Sequence, residues 1–390
     1  MDTPLIVVLT VLPERSGTGV ETHVRQFRRF CEQHQVGVQI VDPYRWAPLF
    51  LRGGNFLIRH MPLSKEIKVI LTRWFQAWRL RRNLARVFQS RESQTPIVLY
   101  AQDLESTHIA LQFAHHEFVR VVTAVHFNIS EAHEYADKGI IQRNGRAWAH
   151  ISQSERKALV AAHELIFVSE YSLAACLRRI PFLAGGVNTV IPNFVDLPKQ
   201  AKKHLSGDLI AIGSLEPRKN QSFLIQVIAR CKALGYCYTL NIVGDGPDRE
   251  ALSKLIIELG VEDLVTLHGF CSNAAGLIRH HRALVHASRM ESFGIVLIEA
   301  MAQQRPVFAC AEGGVAEVFD DGVEGRVWDY NDVGEAAVTL TTTLENRRLM
   351  QSMSKAGYRR YRQCFSDEAV GHRWLNTVLG QDAKRLPSLG

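Results

Sequence analysis

Two series of short apolar runs, separated by stretches of helical period, organise this chain. In the first series, residues 5–11, 36–41, 97–101, 121–125 and 165–168 are dense in valine, isoleucine and leucine, which predicts buried strands. Residues 21–34, 104–116 and 171–180 carry apolar side chains at three- and four-residue spacing, which predicts helices between them. Residues 196–207 are polar, contain Pro198 and Gly207, and read as a linker. The pattern then restarts, with strands expected at 209–212, 239–243, 265–267, 283–286 and 307–309. Strand–helix alternation implies parallel sheets with crossover helices. The expectation is therefore α/β: two tandem Rossmann-like, doubly wound parallel-sheet domains over 1–195 and 196–365. A terminal amphipathic helix over 366–380 is expected to pack back on the first.

Composition narrows the class. The 390 residues suffice for two cores, and 46% of them are hydrophobic. No uninterrupted apolar stretch of about 18 residues occurs, so a spanning helix is not expected. The start, from Met1 to Thr10, carries an acid where a secretory leader carries lysines, and it reads as a first strand. Seven cysteines are scattered singly, without C-x-x-C or zinc spacing, which fits a reducing cytoplasm. The net charge of +7 is unevenly spread, since residues 1–200 hold 24 basic against 17 acidic residues and residues 201–390 hold 22 of each. Arg52 to Arg91 alone contains ten basic residues and one acid, a local surface suited to an anionic partner.

The residues with most chemistry surround Gly294. A strand over 283–286 leads into a loop, and a helix is expected to start near Phe293. Its first amides have no intrahelical partner and point, with the helix dipole, at whatever lies above the strand edge, as suits a pyrophosphate. Glu291 precedes this helix and Glu299 lies inside it. Carboxylates accept hydrogen bonds from hydroxyls and repel phosphate, so the two acids are suited to hydroxyls on either side of the phosphates. After the strand at 209–212 comes Gly213-Ser214-Leu215-Glu216-Pro217-Arg218-Lys219-Asn220, a tight turn with two cations able to neutralise a leaving diphosphate. Gly244 and Gly246-Pro247, and then Gly269-Phe270, end the next two strands, where glycine permits a sharp turn or close approach to a ligand.

The stretch from Glu291 to Glu299 resembles the E-x7-E signature of glycosyltransferase family four, whose members adopt the GT-B fold of two Rossmann-like domains facing across a cleft. Pro306-Val307, Glu312-Gly313-Gly314-Val315-Ala316-Glu317-Val318 and Asp321-Gly322-Val323-Glu324-Gly325 match the same pattern downstream. The resemblance implies a retaining transferase whose first domain takes the acceptor and whose second takes the nucleotide-sugar. It implies that Glu291 contacts the donor sugar, Glu299 the ribose, and the amides of Gly294, Ile295 and Val296 the phosphates. It implies that Lys219 pairs with a nearby arginine on the diphosphate; Ser214 stands where many members have that arginine, leaving Arg218 as the substitute. The loop holding Gly269 and Phe270 is expected to line the base pocket, with Gly213 and Gly244 beside the nucleotide.

In the first domain, Ser16-Gly17-Thr18-Gly19-Val20-Glu21 is similar to the family's G-G-x-E loop, with Gly17 and Gly19 expected at the donor phosphates. His126 fits the family histidine beside the donor sugar. Asn193 matches a turn with Phe194 in place of glycine, and is expected at an interdomain hinge. No D-x-D motif occurs, and Arg218, Lys219 and helix amides are expected to serve without metal or other cofactor. Front-face attack is the mechanism usually proposed for the family. The resulting expectation is a hexosyltransferase using GDP-mannose or a UDP-sugar, with a glycan or lipid-linked acceptor of a cell-surface polysaccharide or glycoconjugate. A GT-B sugar-nucleotide epimerase and a non-catalytic nucleotide-sugar-binding protein also fit these residues.

Within the basic segment, over 65–91, Ile67, Leu71, Trp74, Phe75, Trp78, Leu84 and Phe88 recur at helical spacing, with Lys68, Arg73, Arg79, Arg81, Arg82 and Arg86 between them. Such a helix suits an anionic membrane interface, and would make a cytoplasmic protein peripheral to the membrane. A helix whose apolar face packs on the domain's own sheet, with solvated arginines, fits the same residues equally. Nucleic acid is not expected, because no recognition module accompanies the charge.

Overall fold

The structure, a computed structural model, describes residues 4–13, 17–46, 57–58, 60–90, 95–116, 118–197 and 205–381. Ser16, the linker residues 198–204, and Arg52, Arg59 and Arg91 lie outside the described residues. The chain forms two compact units, one of Met1–Pro192 with Gly371–Gly390, the other of Asn193–Val370.

The first unit runs β1 (Leu5–Leu9), α1 (Gly19–Gln33), β2 (Val38–Val41), α2 (Lys65–Gln89), β3 (Ile97–Ala101), α3 (Leu104–Gln112), β4 (Val119–Val125), α4 (Glu131–Asp137), α5 (Arg146–Ala161), β5 (Glu164–Phe167), α6 (Glu170–Arg179) and β6 (Asn188–Val190). Its sheet is parallel throughout, in the order β2-β1-β3-β4-β5-β6. Ile6 to Leu9 are fully buried, as a strand covered on both faces requires. Side-chain oxygens of Thr18, Ser64, Asp103, Ser130 and Ser169 cap α1, α2, α3, α4 and α6, so these helices start where their first orphan amides find an acceptor.

The second unit runs β7 (Gly207–Ile212), α7 (Gln221–Ala233), β8 (Leu240–Val243), α8 (Arg249–Glu258), β9 (Val265–Leu267), β10 (His281–His286), α9 (Ile295–Ala302), β11 (Val307–Ala309), β12 (Gly325–Val327), α10 (Val333–Leu344) and α11 (Arg347–Cys364). Its parallel sheet has the order β12-β11-β10-β7-β8-β9. Both units are thus doubly wound and Rossmann-like. Each sheet has one more strand than the apolar runs predict. β6 and β12 are three-residue strands with half-buried polar positions, which leave no run to read.

Helix α12 (His372–Leu379) returns to the first unit. Its Trp374 is fully buried, donates its indole N–H to the Pro192 carbonyl at 2.8 Å, and lies 4.5 Å from the His23 ring.

The structure corrects the single-faced reading of α2. Ile67, Trp74 and Trp78 are exposed, whereas Leu84 is buried, so the apolar residues belong to two faces. Arg73 and Arg79, expected among the solvated arginines, are buried. Arg73 pairs with Glu105 and with Glu131 (2.8 Å), and Arg79 donates to the Pro43 carbonyl at 3.1 Å. A buried guanidinium needs such partners, because an unpaired charge in a low dielectric is expensive.

Candidate active site

In an open parallel sheet the loops leaving two neighbouring strands diverge where the strand order reverses, and the crevice there takes ligands. The second unit reverses between β7 and β10. The loop after β7 carries Arg218 and Lys219; the loop after β10 carries Glu291. The structure brings all three together. Lys219 Nζ contacts Glu291 Oε1, and Arg218 donates to Glu291 Oε2 at 3.1 Å and to the Met290 carbonyl at 2.8 Å. A second acid, Glu216, lies 2.9 Å from the other end of the same guanidinium.

Backbone contacts hold the two loops in register. The Arg218 carbonyl accepts from Arg289 N–H at 2.9 Å and from the Ser288 hydroxyl at 3.2 Å. Glu291 is fixed from the far side, its carbonyl accepting from Gly314 N–H at 2.8 Å. Only glycine fits at Gly313, where φ is +68° and a Cβ would lie 2.3 Å from that same carbonyl oxygen. The acid's place is therefore set by its neighbours' backbone.

Glu291 is buried. Burial alone would raise its carboxyl, but Lys219, His286 and Arg218 outweigh that and hold it well below the usual carboxylate range. His286, the last residue of β10, places Nε2 3.3 Å from Glu291 Oε1. It was not among the expected site residues, because it ends a buried apolar run and reads as part of the strand. Burial, together with the two nearby cations, lowers its imidazole against the pull of Glu291.

Helix α9 begins at Ile295, two residues later than expected, because Gly294 adopts φ +91° as its N-cap while Phe293 turns inward against Phe365. Helix geometry leaves the amides of Ile295 and Val296 outside the intrahelical ladder, beside Glu291 in sequence. Leu297, Ile298 and Met301 are fully buried, each stabilising by about 1.5–3 kcal/mol and fixing the helix against the sheet. Glu299 is half-buried on its second turn. Gly213 follows β7, and Ser214 is exposed, its carbonyl accepting from the Gln221 side chain at 2.8 Å. Gly244 donates its N–H to the Gly269 carbonyl at 3.0 Å, and Phe270 beside it is largely exposed.

In the first unit, Gly17 (φ +70°) and Gly19 flank the cap of α1. The Gly17 N–H is already donated to the Glu21 carboxylate at 2.7 Å, so only the amides after it belong to the open helix start. His126 follows β4, and its Nε2 lies 3.0 Å from Gln102 Oε1. Burial pushes its imidazole down to about 4, so it is neutral at physiological pH. Asn193 and Phe194 are buried where the two units divide.

Residues 195–360 match the family model described as Glycosyl transferases group 1. This region, most of the second unit, is similar to group 1 glycosyl transferases. Among curated relatives, the chain is 31% identical over 149 residues to the alpha-D-kanosaminyltransferase of Streptomyces kanamyceticus, covering 38% of this chain and 39% of that protein. It is 28% identical over 235 residues to a GDP-mannose-dependent alpha-(1-6)-phosphatidylinositol monomannoside mannosyltransferase of Mycobacterium tuberculosis, covering 56% and 60%. It is 24% identical over 189 residues to the poly(ribitol-phosphate) alpha-N-acetylglucosaminyltransferase of Staphylococcus aureus, covering 48% and 38%. The aligned stretch thus spans between about two fifths and three fifths of these relatives' length. Among solved structures, sucrose-phosphate synthase from Thermosynechococcus elongatus superposes with TM-score 0.74 at 17% identity, over 98% of this chain and all of that one. HepE of Anabaena, solved with UDP and glucose, superposes with TM-score 0.68 at 19% identity, over 97% and 100%. At these identities the superpositions establish the fold, which is GT-B. Among the described residues no helix is long and apolar enough to cross a membrane.

Proposed function

We propose that the protein is a retaining, metal-independent hexosyltransferase that takes its sugar from GDP-mannose or a UDP-sugar. The observation that carries this reading is the cluster of Lys219, Arg218 and Glu291 at the β7/β10 crevice, beside the start of α9. Two cations and the first amides of a helix suit a diphosphate, and they supply the charge that stabilises it as it leaves. Glu291, ionised and buried, accepts a sugar hydroxyl, while Glu299 one turn into the helix accepts the ribose. The Gly244–Gly269 turn with Phe270 flanks the base. Positive charge from side chains and amides replaces the metal that other transferases place on the diphosphate. In the first unit His126 presents a neutral imidazole, and Gly19 an amide at the start of α1.

The acceptor is a glycan or lipid-linked saccharide, and we place the protein at the cytoplasmic membrane face. Exposed Ile67, Ile70, Trp74 and Trp78 line one side of α2, and Arg81 and Arg82 continue it, with Arg82 over the Trp78 ring. Apolar side chains followed by arginines on one helix side suit an anionic interface. Sedimentation with phosphatidylglycerol vesicles should fall when Arg81 and Arg82 become glutamate; undiminished binding counts against this placement.

The enzymatic reading is tested by incubating the purified chain with GDP- and UDP-sugars, a membrane extract and EDTA. Release of nucleoside diphosphate is expected only with acceptor present, and with retained anomeric configuration in the product. No release from any common sugar nucleotide refutes it. A new free sugar released without acceptor would instead mark an epimerase.

A further inference from the structure

The site has an internal counterion. Both carboxylate oxygens of Glu291 are engaged, Oε1 by Lys219 and Oε2 by Arg218. A diphosphate seated in the crevice competes for both cations. Glu291 would then remain buried with less positive charge beside it, and a buried carboxylate in that state tends to take up a proton. A protonated carboxyl is a poorer acceptor for a sugar hydroxyl than an ionised one.

One neighbour is not drawn away by phosphate. His286 sits at the end of β10, only 5% exposed. Its own carbonyl accepts from the Trp328 indole at 3.1 Å and from Cys310 N–H at 3.2 Å, which anchors it to the sheet. The imidazole is thus held against Glu291, with Nε2 3.3 Å from Oε1 but outside hydrogen-bonding alignment while Lys219 holds that oxygen.

We propose that His286 is a positioning residue, whose Nε2–H keeps Oε1 of Glu291 ionised and aimed at the donor sugar while Lys219 and Arg218 hold the diphosphate. This rests on the transferase reading given above. It assigns His286 to recognition of the sugar and not of the nucleotide. Once Lys219 turns to the diphosphate, a small shift aligns the neutral imidazole to donate to Oε1, and Glu291 accepts from it and from the sugar hydroxyl.

The test compares His286→Phe, which cannot donate, with His286→Gln, whose amide nitrogen reaches a similar place. Affinity for UDP and GDP is measured by calorimetry, and turnover of the sugar nucleotide that the wild type uses is followed across pH. For His286→Phe, affinity for the free nucleotide should stay within about twofold, while kcat falls about 10- to 100-fold, the loss carried by a hydrogen bond to a charged group. The acid limb of kcat should move to higher pH, because Glu291 then protonates more readily in the donor complex. His286→Gln should recover most of the turnover and the original limb. Should the phenylalanine variant not fold, His286→Met makes the same comparison. Equal losses in nucleotide affinity and kcat, or a glutamine variant no better than the phenylalanine one, overturn the proposal. A wild type that turns over no sugar nucleotide overturns the transferase reading itself, and the proposal with it.

Discussion

Replacing Lys219 by methionine should destabilise the second unit more than an ordinary surface substitution does. The lysine stem keeps its apolar contacts in methionine, so the change removes mainly the charge. What is left behind is a buried Glu291 carboxylate that has lost one of two cations, with Arg218 still 3.1 Å from Oε2. Breaking a buried ion pair from one side costs about 3–5 kcal/mol, and the surviving arginine argues for the lower end, about 3 kcal/mol. The unit spans the 178 residues Asn193–Val370. For a unit of that size each kcal/mol moves the melting temperature by about 2–4 °C, so the expected drop is about 6–12 °C.

The second arm adds Glu291→Gln. With no carboxylate to strand, Lys219→Met should then cost little, and the double variant should melt above the Lys219→Met single. The coupling energy from the cycle is expected at about 2 kcal/mol. Scanning calorimetry of the full chain at pH 7 and low salt gives all four values. Additive effects, or a Lys219→Met variant melting within 2 °C of wild type, refute the claim that these charges share a buried pair.

Three further outcomes follow from named contacts. Burial pushes the Glu155 carboxyl up to about 7 despite Arg179, so the folded state keeps a proton that the unfolded state loses near 4.5; its contribution is full below about 4.5 and is lost as pH rises to about 7, up to about 3 kcal/mol, and Glu155→Gln should remove that downward slope in urea titrations. Gly313→Ala should lower melting temperature and turnover together, since positive φ costs about 1–2 kcal/mol and the new Cβ displaces the Glu291 backbone; unchanged activity would show that this carbonyl tolerates movement. Arg73→Met should cost about 3–5 kcal/mol by leaving Glu105 and Glu131 without their shared cation, and part of the loss should return in acid as the Glu105 carboxyl, pushed up by burial, protonates; chemical denaturation at pH 5 and 7 checks both.

The sequence made the strands of both sheets legible where burial is complete, because a strand covered on both faces has to be apolar throughout. It hid β6 and β12, short edge strands with polar positions. The glutamates at 291 and 299 were legible through their spacing and surroundings, and the two cations through their turn. The pairing of the cations with Glu291 was not, since it joins residues more than seventy positions apart and depends on strand order. His286 was hidden by its own strand. The signal available was a polar residue closing an apolar run next to the reversal point, which a reading by periodicity absorbs into the strand. On α2 the helical spacing puts the arginines at 73 and 79 among the polar-face residues. Their burial depends on acids and carbonyls supplied by other elements, and nothing local announces those.

Strand order explains why the charged cluster sits where it does. In the second unit β7 is followed outward by β8 and β9, and the chain then returns to lay β10 on its other side. The loops leaving β7 and β10 must part, so side chains on them meet at the floor of a crevice. Opposite charges on the two loops pair across that floor, as Lys219, Arg218 and Glu291 do. The first unit reverses in the same way, between β1 and β3. There the loops carry the glycines at 17 and 19 and the Gln102 side chain, which holds a neutral His126. The same topology therefore builds two crevices of different character, one with a buried ion pair and one with a neutral histidine. The Lys219 and Arg218 cations are what a diphosphate needs, which is why the proposed donor site is the crevice of the second unit.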